Sequence, residues 1–196
     1  MSSPKRIVVI GGSAAGPKAA AKARRMDQHA EITIVQEGPD LSMASCGYPY
    51  YVGGFFDDRN ALLCTPTGVV RDPVFFMNAK GIEAKTRTRA TEIDRDRHVV
   101  QCLDLHSDQK SEIPYDKLVI CTGASPVIPP IPGTDLEGIT TLQSMKDADF
   151  LRKVRDEGRI TRAVVIGGGL IGVETCEALH LAGIQITVVE MLPQVL

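Results

Sequence analysis

An apolar run that meets a glycine-rich turn, and then recurs, constrains this chain more than any other feature. Ile7-Val8-Val9-Ile10 leads into Gly11-Gly12-Ser13-Ala14-Ala15-Gly16, then an alanine-rich basic stretch from Lys18 to Met26, then Ile32-Thr33-Ile34-Val35. Ala163-Val164-Val165-Ile166 leads into Gly167-Gly168-Gly169-Leu170-Ile171-Gly172, then a helical stretch to about Ala182, then Ile186-Thr187-Val188-Val189. Short β-branched runs read as buried strands, and the stretches between them as helices. Strand, glycine turn, helix and strand in that order make the opening βαβ unit of a dinucleotide-binding fold. The expected fold class is therefore α/β, with two Rossmann-like units.

Between the copies, residues 82–103 are rich in β-formers and are split by Asp94-Arg95-Asp96-Arg97, which predicts a small antiparallel meander. Tyr115 to Cys121 reads as a further buried strand, ending at Thr122-Gly123-Ala124. The Pro-rich stretch from Pro126 to Pro132 cannot hold a regular element and reads as an extended connector. The expected organisation is a first domain over 1–125, a connector with a helix over 126–160, and the start of a second domain over 161–196. A lone pair of parallel strands with one helix leaves its faces poorly covered, so the sequence reads as a piece of a longer protein.

The chemistry begins with the glycines. Gly167, Gly169 and Gly172 fill all three positions of G-x-G-x-x-G: the first permits the tight turn, the second admits a pyrophosphate, and the third lets helix and strand approach. Free N–H groups and partial positive charge at the helix start suit phosphate. Glu190 follows Gly169 by 21 residues, where a carboxylate binds ribose hydroxyls and repels a 2′-phosphate, favouring NADH over NADPH. In the first copy Gly11 and Gly16 fill the outer positions and Ser13 stands at the middle one, with Gln36 or Glu37 as the ribose residue. Two units in one chain suggest two dinucleotides, FAD at the first and NAD(P)H at the second.

The remaining composition excludes other classes. Lys and Arg total 22 against 24 Asp and Glu, a net charge of −2 that offers nucleic acid no basic surface. No apolar run is long enough to span a membrane or to serve as a signal-peptide core. The five cysteines, at 46, 64, 102, 121 and 176, form no C-x-x-C pair, which argues against zinc and for a reducing, cytoplasmic setting. Cys102, Cys121 and Cys176 lie in strand-like or helical runs and read as buried, while Cys64 lies in a loop-like stretch. Cys46, in Ser42-Met43-Ala44-Ser45-Cys46-Gly47-Tyr48-Pro49-Tyr50-Tyr51, reads either as a nucleophile beside a flavin or as a small buried filler.

Taken together, the two glycine motifs, Ser-x-x-Ser-Cys-Gly-x-Pro-Tyr, Thr122-Gly123-Ala124 and Gly-Gly-Gly-x-Ile-Gly-x-Glu resemble, in order, the FAD-dependent pyridine nucleotide–disulfide oxidoreductases. The resemblance is to the N-terminal part of that family. Within it, the chain is most similar to the single-cysteine branch of coenzyme A-disulfide reductases, persulfide and polysulfide reductases, and NADH oxidases and peroxidases. The resemblance implies that Cys46 is the redox cysteine, without an internal disulfide partner. It implies that Gly11, Gly12, Ser13, Ala14, Ala15 and Gly16 cradle the flavin pyrophosphate, with Gln36 or Glu37, Ala90, Thr122 and Gly123 also at the cofactor. Gly167, Gly169, Gly172, Glu174 and Glu190 would serve the nicotinamide nucleotide.

Substrate contacts follow from the same resemblance. Lys18, Lys22 and Arg25 fall on one helix face, read either as an ordinary solvated face or as a seat for the phosphates of a coenzyme A-linked substrate. Ser42 and Ser45 flank the cysteine. Pro49-Tyr50 resembles the disulfide and persulfide reductases, and Ala14 stands where oxygen- and peroxide-reducing relatives carry histidine. Ser45 instead resembles the oxidases. The expected function is NAD(P)H-dependent reduction of a sulfur–sulfur bond in a homodimeric enzyme. The alternatives are an oxidase or peroxidase working through a sulfenate, and a nucleotide-binding piece without turnover.

Overall fold

The computed structural model describes residues 3–196. The chain divides into two units, one running to Ala44 and resuming over Leu63–Ala124, the other formed by Ser45–Leu62 and Ser125–Leu196. The sequence reading placed the stretch around Cys46 with the first domain; by compactness it groups with the second unit, because its helix packs on two helices there.

In the first unit, β1 (Arg6–Ile10), α1 (Ala15–Met26) and β2 (Glu31–Val35) form the expected βαβ unit, with Arg6 opposite Glu31 and Ile10 opposite Val35. A four-stranded parallel sheet grows around it, in the order β3 (Glu83–Lys85), β2, β1, β7 (Lys117–Ile120). The two-residue period of β1 sends Val9 to one face and Val8 and Ile10 to the other. Val9, Ile32 and Ile34 pack against Ala20 of α1 and Phe76 of α3 (Pro73–Lys80), and all are nearly fully buried. Val8, Ile10 and Val35 pack against Val100, Cys102 and Tyr115. A parallel sheet covered on both faces needs apolar residues on both, which explains the unbroken Ile-Val-Val-Ile run.

The covering layer on that second face is the antiparallel meander β4 (Thr88–Asp94), β5 (Val99–Asp104) and β6 (Lys110–Pro114). Its bounds differ from the expectation of 82–103. Residues 83–85 pair in parallel with β2 and belong to the main sheet, and the third meander strand lies beyond 103. α3 begins at Asp72, whose carboxylate accepts the Phe75 N–H at 2.7 Å, with Pro73 where its missing N–H costs nothing. Arg24, near the end of α1, donates to the carbonyls of Lys80 and Gly81 and so fastens α1 to the end of α3.

The second unit holds α2 (Tyr48–Gly53), α4 (Met145–Asp156), β8 (Arg162–Ile166), α5 (Leu170–Leu181) and β9 (Gln185–Val189). β8 and β9 pair in parallel as a two-stranded sheet. α4 starts with a reciprocal cap: Ser144 accepts the Asp147 N–H, and Asp147 accepts the Ser144 N–H at 3.0 Å. The Pro-rich connector forms no helix or strand, as expected. Among the described residues, no helix is long and apolar enough to cross a membrane.

Candidate functional sites

The two glycine loops have the same backbone construction. Gly11 and Gly167 both take φ +107°, a conformation that side chains resist, and donate to the carbonyls of Val35 and Val189 at 2.8 and 2.9 Å. The third glycine of each loop lies against the first. A Cβ on Gly16 would sit 1.8 Å from the Gly11 carbonyl oxygen, and one on Gly172 would sit 2.1 Å from that of Gly167. These distances explain why the third position admits no side chain.

The residue after each second strand closes its loop in the same way. Gly12 donates its N–H to Gln36 Oε1 at 2.7 Å, and Gly168 donates to Glu190 Oε2 at 2.6 Å. Glu190 also accepts the Leu192 N–H at 2.8 Å, and these backbone bonds, Leu192 first, hold its carboxyl below the usual range and therefore ionised at neutral pH. Glu37, the other candidate in the first copy, forms an ion pair with Arg89 at 2.7 Å. Gln36 therefore occupies the place in the first loop that Glu190 occupies in the second.

Both helix starts suit a phosphate. No side chain caps α1 or α5, and neither carries an acidic residue in its first turn. Their first N–H groups thus lack the side-chain acceptors that helix starts usually recruit. Ser13, Ala14 and Ala15 are exposed, and a Cβ on Gly169 would meet nothing within 4 Å. The residues present fit a dinucleotide pyrophosphate at each loop.

Thr122 and Gly123 are exposed beyond β7, on the strand end whose Cys121 carbonyl would lie 2.1 Å from a Cβ on Gly11. Ala90 is half-buried on β4 opposite Cys102. Lys18, Lys22 and Arg25 are all exposed on α1. Ser42 takes φ +54° and donates its N–H to the Gly12 carbonyl at 2.8 Å, while its own carbonyl accepts from Arg71. This places Ser42 against the first loop.

Cys46 lies exposed in a single 3₁₀ turn, Ser45–Gly47, with Ser45 exposed beside it. The buried-filler reading of Cys46 is thus overturned. Gly47 presses on Leu62, since a Cβ there would fall 2.3 Å from Leu62 Cδ2. Cys102 is buried, as expected, and burial pushes its thiol pKa up. Cys121 and Cys176 are only half-buried, contrary to expectation, Cys121 packing on the edge of the first core. Cys64 is half-buried in a bridge to Val70. All five thiols are free, and among the described residues no cluster suits a metal ion.

α2 follows Cys46 directly and packs against α5, where Gly53 approaches Ala178 so closely that a Cβ would lie 2.9 Å from the Ala178 Cβ. Glu174 and Glu177 of α5 face Tyr50 and Phe55 across a cleft of ≈ 170 Å³. The Tyr50 and Phe55 rings meet edge to face at 5.4 Å. Of the residues around this cleft the sequence reading singles out Glu174; it does not single out Arg152 and Arg155 of α4, whose guanidinium groups reach α2. In the sequence they are two more charges on a helix of mixed charge, and nothing marks them.

With the loops and the cysteine turn described, comparison with known proteins settles the class. The pyridine nucleotide-disulphide oxidoreductase family matches residues 5–196, and the chain belongs to that family. A structure described as a NAD-dependent persulfide reductase from A. fulgidus superposes with a TM-score of 0.93 and 45% identity, covering 97% of this chain and 35% of that one. An NADH oxidase of Methanocaldococcus jannaschii is 32% identical over 194 residues, 97% of this chain and 41% of that protein. A coenzyme A disulfide reductase of Staphylococcus haemolyticus is 31% identical over 185 residues, 94% of this chain and 40% of that protein. The chain spans about two fifths of the length of these curated relatives.

Proposed function

We propose that this chain carries the nucleotide-binding loops and the redox cysteine of a flavin-dependent NAD(P)H oxidoreductase acting on a sulfur–sulfur bond. The substrate class is coenzyme A disulfide, a persulfide or a polysulfide. The observation that carries the reading is the exposed, lone Cys46, held in a short turn within a chain that also bears two dinucleotide loops. The similarity to a persulfide reductase and to a coenzyme A disulfide reductase supports the same chemistry.

In this reading the loop around Gly11 to Gly16, with Gln36, Ala90, Thr122 and Gly123, holds FAD. The loop around Gly167 to Gly172, with Glu174 and Glu190, holds NADH in preference to NADPH. Bound FAD, reduced by the nicotinamide, supplies the electron pair for the reaction. The Cys46 thiolate attacks one substrate sulfur, the sulfur–sulfur bond breaks, and one thiolate leaves. The mixed disulfide at Cys46 then takes up two electrons and a proton, releasing the second thiol and restoring the cysteine. Lys18, Lys22 and Arg25 offer an exposed cationic face for the phosphates of a coenzyme A-linked substrate, with Ser42 and Ser45 near the sulfur.

We place the enzyme in the cytoplasm as a homodimer, with no nucleic acid or membrane as partner; five free thiols and a net charge of −2 support that setting. The similarity to an NADH oxidase favours a second reading, reduction of oxygen or peroxide through a sulfenate at Cys46. Ala14, in place of histidine, argues against it. One experiment tests both. Cys46→Ser in the flavin-loaded enzyme should keep FAD and its reduction by NADH yet lose turnover of coenzyme A disulfide and of persulfide, because a hydroxyl forms no mixed disulfide. Near-normal turnover would overturn the mechanism. Oxygen or peroxide consumption in place of sulfur reduction by the unmutated enzyme would install the second reading.

A further inference from the structure

The helix that follows Cys46 has six residues, too few to persist through its own hydrogen bonds. Gly47, just before it, lies against Leu62, and Gly53, its last residue, lies against Ala178. At its C-terminus the Gly54 and Phe55 N–H groups reach the Tyr51 and Tyr50 carbonyls, both at 3.1 Å, and two guanidinium groups of α4 reach the Tyr51 and Val52 carbonyls. Arg152 Nη1 donates to the carbonyls of Tyr51 at 2.9 Å and Phe56 at 2.8 Å, and Arg155 Nη1 donates to that of Val52 at 2.7 Å.

These arginines are not surface charges. Their side chains are 11% and 14% exposed. Arg152 spends its other nitrogens on Asp57 at 2.5 Å and Asp156 at 2.7 Å, and its guanidinium lies 5.2 Å from the centre of the Tyr51 ring. Arg155 also pairs with Asp156 and reaches α2 through space that Gly54 leaves open. A Cβ on Gly54 would lie 2.3 Å from Arg155 Nη1, and Gly54 itself takes φ +83°. Burying two cations is tolerable only when their donors are satisfied, and a forked guanidinium does this where an ammonium cannot.

We propose that Arg152 and Arg155 are positioning residues for Cys46, acting through the end of α2. The proposal rests on the reading of Cys46 as the reacting thiol. Without the two arginines the Val52 carbonyl turns to water, the Tyr51 carbonyl keeps only the Gly54 N–H, the helix frays back towards Gly47, and the cysteine turn loses its fixed direction. Thiol transfer depends on the line of attack, so a loosened turn slows chemistry without removing any group that touches substrate.

Arg152→Met and Arg155→Met keep an apolar stem and remove the donors. In the full flavin-loaded enzyme each should lower sulfur turnover by roughly tenfold to a hundredfold while FAD content holds. Each should also change the rate and the pH profile of Cys46 alkylation by iodoacetamide, followed by peptide mass spectrometry. Cys176, half-buried on α5 of the same unit, reports local unfolding, and Cys102, 1% exposed in the other unit, reports global unfolding. An unchanged Cys46 alkylation profile with both alkylated as in the unmutated enzyme overturns the proposal. If the Met variants expose Cys176, Asp57→Ala decides, because it removes one outer partner of Arg152 only. It should shift Cys46 alkylation in the same direction by a smaller factor, and no shift overturns the proposal. Full turnover by Cys46→Ser overturns instead the reading of Cys46 as the reacting thiol.

Discussion

Val8 and Ile10 of β1 are 1% and 8% exposed, whereas Val164 and Ile166, at the same places in β8, are each 64% exposed. The glycine loops that follow these strands are nevertheless alike: the same φ at the first glycine, the same bond back to the second strand, the same closure by Gln36 or Glu190. Loop geometry in this molecule therefore does not depend on how deeply its strands are covered. It follows from local sequence, since a glycine at the turn and a glycine at helix contact leave few backbone alternatives. Burial comes from remote segments. In the first unit β3, β7 and the meander close over the βαβ unit; in the second, the described residues leave Val188 and Val189 of β9 42% and 51% exposed.

The comparison breaks most easily at matched core positions. Ile34, fully buried on β2, corresponds to Val188 on β9. Ile34→Ala should cost about 2–5 kcal/mol, and Val188→Ala under about 1 kcal/mol, both read by denaturant unfolding. Equal losses would mean that the second sheet is covered in solution as fully as the first.

The loops offer a milder test. Gly16→Ala and Gly172→Ala each drive a methyl group onto a carbonyl oxygen of the first glycine. Gly16→Ala should cost about 1–3 kcal/mol and release FAD, because its helix is locked against a four-stranded sheet. Gly172→Ala should cost less, since a two-stranded sheet can yield to the displaced helix. Flavin absorbance and thermal unfolding measure both.

Glu190→Gln would make the second loop chemically like the first. An amide oxygen still accepts the Gly168 N–H, but the charge that repels a 2′-phosphate is gone. The kcat/KM preference for NADH over NADPH should fall about tenfold, roughly 1.4 kcal/mol. A preference that survives would place discrimination outside this residue.

The smallest effect concerns acid. Arg6 at the start of β1 and Asp116 before β7 form an ion pair at 2.8 Å, and the guanidinium, with the Arg6 N–H, holds the Asp116 carboxyl at about 2, below its ordinary 3.8. A carboxyl depressed in the folded state adds stability above its ordinary value and loses it as pH falls towards the folded one. The melting temperature should therefore drop between 3.8 and about 2, and Asp116→Asn should flatten that part of the profile. An equally steep profile in the variant would assign acid sensitivity to other carboxyls.

Much of this was legible in order of residues. Glycines at fixed spacing after β-branched runs announced both βαβ units, because turn, helix start and strand are short-range consequences of φ preference and hydrophobic period. Cys46 stood out by its neighbours, although its exposure did not, since a cysteine between small residues reads equally well as core. The meander was misplaced because residues 83–85 are too few to reveal their partner, and pairing with β2 depends on a chain segment some fifty residues away.

What the sequence by itself determined is the local backbone: two dinucleotide loops, the connector without regular structure, and the family to which the chain belongs. What only the tertiary structure decided is which polar groups meet. Gln36 rather than Glu37 closes the first loop, because Arg89 on a separate strand claims Glu37. Arg152 and Arg155 reach a helix about a hundred residues earlier, because α4 packs on α2 and brings their donors to the carbonyls at its C-terminus. Side-chain partners of this kind depend on long-range packing, which spacing and composition do not encode one residue at a time.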